Sequence, residues 1–459
     1  MNNATLWIVL VSGVIAAGCT TSSSEEEATG TGFIRAVHAI DDLGQVNFLI
    51  EEVTLATVDF KQVSGVSEYD DLEYDFNFDI FLPDDTDATR LITETLSVVR
   101  GTEYTFALTG TLDAPNVVLW QQTSRDWDTE LDEAADAGTE VTVLEMSVGH
   151  LAASAPAVDV YVSEPGTVPV AGTALASVSF GDYVGPFEMP VDDYQVVITP
   201  AGDPATFLYA SDAFGAPAAI SLAVTLFDST DPELSAYSVR LLGAGTATEL
   251  IDLNAGSTLD VVHAAFNTDP VDIVLEDGFA TPIVPGLVFA ARSSPVELDV
   301  GERNLNITPA GDPGVFLTEE QVQISDNQRH TLYLTGLPGL LDGVLVTGSG
   351  RRLSTHARLR IYQGAARFAS VDLYLAPRDG DIALLSASVP SLPYTGVTDY
   401  LTVEPDAYDI YYTEPGTKTV IAGPLPVDLE ASGRYDLVTT DTAQTSLVDI
   451  LFFEDAAEQ

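Results

Sequence analysis

Short runs in which apolar and polar residues alternate recur along most of the chain. They are rich in β-branched and aromatic residues, as in Tyr104–Leu108 (YTFAL) and Thr331–Thr335 (TLYLT). Successive side chains of a β-strand point to opposite faces, so this period of two predicts half-buried strands. Pro-Gly pairs, as in Glu164–Thr167 and Glu414–Thr417, separate the runs and suit tight turns. The pattern predicts an all-β protein.

The same unit recurs along the chain. The heptapeptide ITPAGDP stands at Ile198–Pro204 and again, unchanged, at Ile307–Pro313. A second signature opens each unit: a His or Gln ends one apolar strand, and the next apolar strand begins at a Val. The spacing between the two is identical in the four pairs His38 and Val46, His150 and Val158, His263 and Val271, and Gln363 and Val371. A period of roughly 100 residues is that of a whole domain rather than of a solenoid repeat.

About seven short strands in roughly 100 residues is the strand density of an immunoglobulin-like sandwich. The sequence therefore predicts a tandem array of four immunoglobulin-like antiparallel β-sandwich domains. The acidic, Ala-rich segment Asp128–Glu140 is interpreted as a loop or a single turn. Few residues separate the units, so we expect an extended, semi-rigid rod. The predicted boundaries are a signal peptide at 1–18, a flexible acidic and Ser-rich tether at 19–32, and sandwiches at 33–140, 141–256, 257–356 and 357–459.

Several short motifs of the second unit carry a family resemblance. They are Val158–Val162 (VDVYV), Phe180–Tyr183 (FGDY), Tyr194–Val196 (YQV) and Thr199–Gly202 (TPAG). Together they resemble the bacterial domain of unknown function 4397 family, which is found in exported proteins, often in tandem. The resemblance is strongest at 141–227, good at 257–336, and looser at 33–110 and 357–440. Since the family brings no established activity, the resemblance implies little beyond a fold.

An apolar run from Leu6 to Gly18 ends at Cys19, the chain's one cysteine. The run has the length of a signal-peptide core and is shorter than the roughly 20 apolar residues of a spanning helix. Ala16–Cys19 resembles the lipobox of bacterial lipoproteins, which implies that Cys19 is lipidated and becomes the first mature residue. Thr20 stands where lipoproteins of the inner membrane typically carry Asp, which implies sorting to the outer membrane. The alternative is an ordinary signal peptide with a chance cysteine.

Charge narrows the set of partners. Against 70 Asp and Glu the chain has 17 Lys and Arg, a net charge of −53, and its only lysines are Lys61 and Lys418. So negative a field repels phosphates, which excludes nucleic acid as a natural partner. With 46% hydrophobic residues the chain can still bury cores. A single cysteine excludes a disulfide scaffold. We also expect the protein to be a monomer.

The repeat signature supplies the candidate chemistry, which consists of His38, His150, Asp159, His263, Asp272 and Asp372. A His and an Asp on neighbouring strands could begin a metal site or an acid–base pair. Two ligands do not close a metal site, and catalysis repeated in every domain is rare. We therefore favour a structural role, with hydrogen bonds from the imidazole to a carboxylate or to backbone.

Other sites are weakly indicated. The chain has no nucleophile elbow, no His-Glu-x-x-His motif and no phosphate-binding loop. The carboxylates of Asp84–Asp87 and Asp128–Glu140 could take calcium, although neither shows a recognised loop spacing, and a solvated acidic surface is favoured. We expect no catalytic residue and no cofactor, with calcium left open.

These observations favour a non-enzymatic, lipid-anchored protein of the outer membrane, on its periplasmic face or at the cell surface. Its modules would bind an envelope protein or a glycan, since linked weak sites bind far better than one alone. Two alternatives stay open. One is an envelope hydrolase or carbohydrate-active enzyme with its site between domains, because paired carboxylates could do such work. The other is a purely structural spacer.

Overall fold

The computed structural model describes residues 29–83, 87–232, 234–275 and 281–455. The predicted signal peptide at 1–18, Cys19, most of the tether and Asp84–Thr86 lie outside these residues. The chain is 56% strand and 3% helix, which confirms the predicted all-β class. In the described part of the chain, no helix is long and apolar enough to cross a membrane.

The strands form four successive sandwiches, each built from two sheets. In the first sandwich the sheets have the orders β4-β1-β7-β8 and β3-β2-β5-β6. Its strands are β1 (Thr31–His38), β2 (Val46–Ile50), β3 (Val53–Val58), β4 (Ser67–Asp70), β5 (Glu73–Ile80), β6 (Thr89–Ser97), β7 (Thr102–Thr111) and β8 (Ala114–Thr123).

The second sandwich follows the same plan with an added edge strand. Its strands are β9 (Val143–His150), β10 (Val158–Ser163), β11 (Ala176–Val178), β12 (Tyr183–Pro190), β13 (Asp193–Pro200), β14 (Tyr209–Gly215), β15 (Ser221–Asp228), β16 (Tyr237–Leu242) and β17 (Ala247–Leu250). The sheet orders are β12-β9-β15-β16-β17 and β11-β10-β13-β14.

In the third sandwich two short strands replace one longer edge strand. Its strands are β18 (Ser257–His263), β19 (Val271–Leu275), β20 (Val284–Leu287), β21 (Ala291–Arg292), β22 (Val296–Leu298), β23 (Gly301–Pro309), β24 (Thr318–Ile324), β25 (Arg329–Leu337) and β26 (Leu340–Gly348). The sheets have the orders β21-β18-β25-β26, with β22 also paired to β18, and β20-β19-β23-β24.

The fourth sandwich completes the series. Its elements are β27 (Ala357–Gln363), β28 (Ser370–Pro377), a 3₁₀ turn at Ile382–Leu384, β29 (Val389–Pro393), β30 (Leu401–Val403), β31 (Ala407–Thr413), β32 (Val420–Asp428), β33 (Arg434–Asp441) and β34 (Val448–Glu454). The sheet orders are β30-β27-β33-β34 and β29-β28-β31-β32.

One feature departs from a purely antiparallel sandwich. In every unit the first strand lies parallel to a late strand, so that β1 pairs with β7, β9 with β15, β18 with β25 and β27 with β33. The other described strand pairs are antiparallel. The sheet that contains this parallel pair is called the signature sheet below, because its first strand ends at the signature His or Gln.

The interpretation of Asp128–Glu140 as a loop or single turn is wrong. Trp127–Ala137 forms α1, an α-helix of 11 residues. The Asp126 carboxylate caps its start by accepting the Thr129 N–H at 3.0 Å, and Gly138 ends it in the left-handed conformation. None of the helix residues is fully buried, and its apolar face is short, consisting of Trp127, Leu131 and Ala134 at helical spacing among acidic residues.

Each sandwich has its own hydrophobic core between its two sheets. In the first sandwich aromatic rings fill the core, and the Phe76 and Phe106 centroids are 4.3 Å apart. Burial of apolar surface at roughly 25 cal/mol per Å² makes these cores the main source of stability. Every unit is therefore large enough to hold a packed interior.

The expectation of an extended rod is wrong, because signature sheets pack against each other in pairs. Val37 and Ala107 on the first sandwich meet Ala223 and Phe227 on the second, in one buried cluster. The third and fourth sandwiches share a second cluster, in which the Tyr333 and Tyr362 rings stack with centroids 4.3 Å apart. An apolar outer face needs cover from water, so the sandwiches pair by their faces rather than end to end.

The first interface predicts a measurable loss of stability. Phe227 is fully buried between the first two sandwiches. Phe227→Ala should lower the free energy of unfolding of this pair by about 3–5 kcal/mol, because it leaves a cavity. Urea unfolding followed by tryptophan fluorescence reports it, since Trp120 and Trp127 lie at this junction and the third tryptophan, Trp7, falls in the predicted signal peptide.

Leu131→Ala is the matched control, since Leu131 lies on α1 and is 44% exposed. It should change stability by less than about 0.5 kcal/mol. If both variants unfold at the wild-type urea concentration, the interface between the first two sandwiches is not packed as described.

Candidate functional site

The signature histidines fasten the loop between the first and second strands of their sandwiches. Each is completely buried. Each Nε2 lies within hydrogen-bonding distance of a backbone carbonyl six positions on: Gly44 for His38 (2.9 Å), Pro156 for His150 (3.1 Å) and Asp269 for His263 (3.4 Å). In the first and third sandwiches Nδ1 accepts the N–H two positions on, from Ile40 at 3.2 Å and Ala265 at 3.4 Å. In these two sandwiches the imidazole thus links both ends of the loop, whereas His150 holds only the far end.

Gln363 performs the same task in the fourth sandwich without an imidazole. Its Oε1 accepts the Ala365 N–H at 2.7 Å, and its Nε2 donates to the Phe368 carbonyl at 2.9 Å. A neutral amide offers the same donor and acceptor pair as a neutral imidazole. The first, third and fourth units therefore share a pair of hydrogen bonds and not a titratable group, whereas His150 of the second unit makes only the Nε2 contact and leaves its Nδ1 without a partner among the described residues.

The signature carboxylates hold turns on the opposite sheet. Asp272 accepts the N–H groups of Gly286 at 2.6 Å and Gly311 at 2.8 Å. Asp372 likewise accepts from Ser391 at 2.6 Å and Gly416 at 2.8 Å. A carboxylate that receives two backbone N–H groups ties two turns to one strand.

Asp159 and the repeated heptapeptide show the same arrangement in the second sandwich. Asp159 accepts the Gly202 N–H at 2.8 Å and the Ser177 hydroxyl at 2.5 Å. Gly202 and Gly311 have φ angles of 81° and 78°, which favour glycine. The ITPAGDP segment is therefore a turn whose glycine N–H is received by the signature Asp. In the first sandwich Asn47 takes this place and accepts the Thr57 hydroxyl at 2.7 Å.

The structure does not bring the signature His and Asp residues together. The histidines end strands of the signature sheet, and the aspartates lie on the facing sheet. Among the described residues no hydrogen bond or ion pair joins the two sets. Burial lowers the pKa of His38 to about 4 and lowers the pKa values of His150 and His263 below their ordinary value, which keeps the rings neutral. The arrangement suits structural hydrogen bonding better than proton transfer.

Metal-binding groups are not assembled in the described ranges. No group of three or more His, Cys, Asp or Glu residues there could hold a metal ion. Of the two acidic clusters considered for calcium, Asp128–Glu140 falls largely on α1, and Asp84–Asp87 lies mostly outside the described residues.

A cavity of about 790 Å³ lies where the first three sandwiches meet. The first sandwich contributes Phe60 and Lys61, and the second contributes Ser229–Asp231 together with Arg240 in β16 and Glu249 in β17. The third contributes its β24–β25 turn and the chain beyond β26. Arg351 joins the sandwiches here by donating from Nε to the Asp41 carbonyl at 2.9 Å and from Nη2 to the Leu43 carbonyl. The sequence marks Lys61 only as a rare lysine, and it gives no sign that three sandwiches meet at this residue.

One stretch of the chain matches a known protein family. Residues 257–374 match the family described as domain of unknown function (DUF4397). The match covers the third sandwich and continues to Tyr374 in β28. The resemblance predicted from the sequence is confirmed for this stretch, rather than for 141–227, where the motifs look strongest. No curated protein matches the chain.

Solved structures resemble the chain only remotely. The Bacillus anthracis TIE protein has 9% identity, a TM-score of 0.14, and coverage of 90% of this chain and 75% of that one. BcpA, the major pilin subunit of Bacillus cereus, has 9% identity and a TM-score of 0.14, with 90% and 99% covered. CBMbc (family CBM26) from Eubacterium rectale, solved in complex with maltoheptaose, has 11% identity and a TM-score of 0.16, with 44% and 98% covered. TM-scores this low do not establish a shared fold with any of these proteins.

The equivalence of His and Gln predicts a tolerated substitution. His263→Gln should keep the melting temperature of the third sandwich near the wild-type value, because the amide can replace both hydrogen bonds, as Gln363 does. His263→Ala should cost about 1–3 kcal/mol, since it leaves buried backbone groups without partners. Differential scanning calorimetry distinguishes the two. Equal destabilisation by both variants would show that the ring itself, and not its hydrogen bonds, is needed.

The buried His38 predicts a pH-dependent stability. Its pKa is about 4 when folded and about 6.5 when unfolded, so the unfolded chain binds more protons between these values. Its contribution to stability should therefore fall as the pH drops from 6.5 to 4. His38→Gln removes the titration, and its stability relative to wild type should rise by about 3 kcal/mol over this window. Urea unfolding followed by tryptophan fluorescence at pH 7 and pH 4 tests this, and parallel pH profiles for the two proteins would contradict it.

Proposed function

We propose that the chain is a non-enzymatic, lipid-anchored protein of the outer membrane whose four sandwiches form one interaction or adhesion module. The observation that carries the proposal is the repetition of one strand order in four sandwiches. In each copy the most distinctive polar residues are used for hydrogen bonds that hold loops and turns. Repetition of a stable scaffold leaves surface loops and junctions free to differ, which is how binding modules diversify.

We further propose that all four sandwiches are copies of the domain of unknown function 4397 unit. Three features support this. The units share one strand order, and in each a His or Gln at the end of the first strand contacts a backbone carbonyl of the following loop. In the last three units, the signature Asp also holds a turn. Because one family match already spans the third sandwich, the other three differ from it in sequence more than in topology.

The predicted signal peptide and Cys19 suggest how the protein is attached to the membrane. Several acyl chains on Cys19 would hold the protein stably on a bilayer, whereas a single chain would not. The Ser- and Glu-rich segment after Cys19 would then act as a flexible tether. Face-to-face pairing of the sandwiches shortens the reach of the chain, which supports a compact binding module over a spacer.

Cell fractionation tests the anchor. Cys19→Ser should move the protein from the membrane fraction to the soluble fraction, because the acylated thiol is lost, while the matched control Ser24→Ala stays with the membrane. Protease added to intact cells then tells surface exposure from periplasmic protection. If Cys19→Ser fractionates like wild type, the lipid anchor is wrong.

A sedimentation assay tests the interaction function separately. The purified chain without its leader should sediment with envelope preparations in a saturable manner. Failure to do so at any concentration would contradict the binding function without bearing on the anchor.

A further inference from the structure

We propose that the cavity at the junction of the first three sandwiches binds an acidic saccharide, and that the ammonium group of Lys61 holds its carboxylate. The inference rests on the interaction function proposed above and names a ligand class for it. It is carried by the charges, the size and the lining of the cavity.

Two of the cavity's arginines already have carboxylate partners. Arg329 forms a bidentate ion pair with Asp231, in which Nη2 and Oδ1 are 2.7 Å apart. Arg240 pairs with Glu249 at 2.7 Å. These pairs join or brace the walls of the cavity, and they occupy Asp231 and Glu249 among its described lining residues. Asp326 is the remaining carboxylate among the described lining residues.

Lys61 and Arg351 are the remaining cations of the cavity. Arg351 donates to backbone carbonyls, and within the described ranges neither residue forms an ion pair. Both approach the ring of Phe60, with the Lys61 Nζ at 5.2 Å and the Arg351 Cζ at 4.9 Å from its centroid. One wall of the cavity therefore carries two cations without carboxylate partners, in a chain whose net charge is −53.

Lys61 is almost fully buried, and its ammonium group is short of partners. Its side chain is 4% exposed, and its N–H donates to the His38 carbonyl at 2.8 Å. Within the described residues its Nζ has no hydrogen bond or ion pair. The Nζ is not among the completely enclosed polar atoms that lack a partner in the described part of the chain, so it is accessible from the cavity. A ligand carboxylate there would supply a charged acceptor in place of water.

The charged surroundings of Lys61 support this role. Burial lowers the Lys61 pKa to about 8, with Glu249 and Asp41 favouring the charged form and Arg240 and Arg351 opposing it. A bound anion would favour the charged form further.

The rest of the lining selects an organic, hydroxylated anion. A volume of about 790 Å³ lies within the range of roughly 300–1,000 Å³ typical of small-molecule sites and far exceeds an inorganic ion. The walls offer neutral donors and acceptors from Ser229, Thr230, Ser325, Asn327, Gln328 and Ser349. Hydroxyl and amide groups pair with sugar hydroxyls, and the Phe60 ring gives an apolar surface. A uronate combines these features.

Calorimetric titration of the purified chain without its leader tests the proposal, with D-glucuronate as the probe. Wild type should bind glucuronate but not the neutral sugar glucose. Lys61→Met should weaken glucuronate binding at least tenfold. Lys418→Met is the matched control, because Lys418 is the only other lysine and lies in the fourth sandwich, where it donates to the Leu385 carbonyl at 2.5 Å. It should bind like wild type.

A second readout does not depend on the variant. Amine acylation followed by mass spectrometry reports both lysines of the wild-type chain, and glucuronate should protect Lys61 and not Lys418. Binding should also weaken as the pH rises from 7 to 9.5, since Lys61 then loses its proton. Lys61→Met removes a buried charge without a partner, so we expect it to fold with at least wild-type thermal stability at pH 7.

Several outcomes would overturn the inference. Equal binding by wild type and Lys61→Met, equal binding of glucose, or absence of Lys61 protection would each do so. Sulfate that binds as tightly as glucuronate and competes with it would show an inorganic-anion site and not a saccharide site. If glucuronate fails while the chain still sediments with envelope preparations, this inference falls and the interaction function stands. If glucuronate does not bind and the chain does not sediment with envelope preparations, both the inference and the interaction function are wrong.

Discussion

Burial of both faces of the signature sheet is the constraint on which the arrangement of the four sandwiches depends. One face of this sheet covers the sandwich's own core, and the other covers a neighbour. In β1 this leaves Ala36 and Val37 buried on opposite sides, and β18 does the same with Val261 and Val262. A strand buried on both faces loses its alternation of apolar and polar residues. The third sandwich meets the first pair differently, through Arg329 and Arg351, and the junction cavity lies at these contacts.

Sequence reasoning reaches the strands more easily than their assembly. The period-two runs and the fixed His-to-Val spacing predict an all-β chain with repeated units, because these are local consequences of strand geometry. The pairing of sandwiches is not local, since it depends on which outer faces meet. Continuous apolar runs such as Val261–Val262 carry a sign of it, but the same runs fit a buried strand in any fold. Helix α1 was missed for a different reason: its apolar positions Trp127, Leu131 and Ala134 have helical spacing, but the segment Asp128–Glu140 leaves out the first of them and is mostly acidic.

The candidate chemistry shows the same division. The signature His and Asp residues stand out in the sequence because the turns they hold need specific donors and acceptors, and Gln363 shows that hydrogen bonding is the requirement. Lys61 carries no motif, and its position became informative only when contacts from three sandwiches surrounded it. Turn clamps can be found by repetition within a chain, whereas a site between domains is built once and leaves no repeat.

Scarce cations are concentrated where sandwiches meet, and this explains how so acidic a chain holds together. Arg35 of the first sandwich donates to the Gly243 carbonyl of the second at 3.0 Å. Arg292 of the third bridges its own Asp260 and Asp436 of the fourth, at 2.7 and 2.9 Å. Net repulsion among many carboxylates is weak at exposed sites because salt screens it over a Debye length of about 10 Å, whereas buried pairs are screened much less. An ion pair buried at an interface therefore offsets more of the chain's net repulsion than an exposed ion pair does. Lys61 differs from these arginines because its ammonium group has no carboxylate partner among the described residues, and this is why we assign it a ligand.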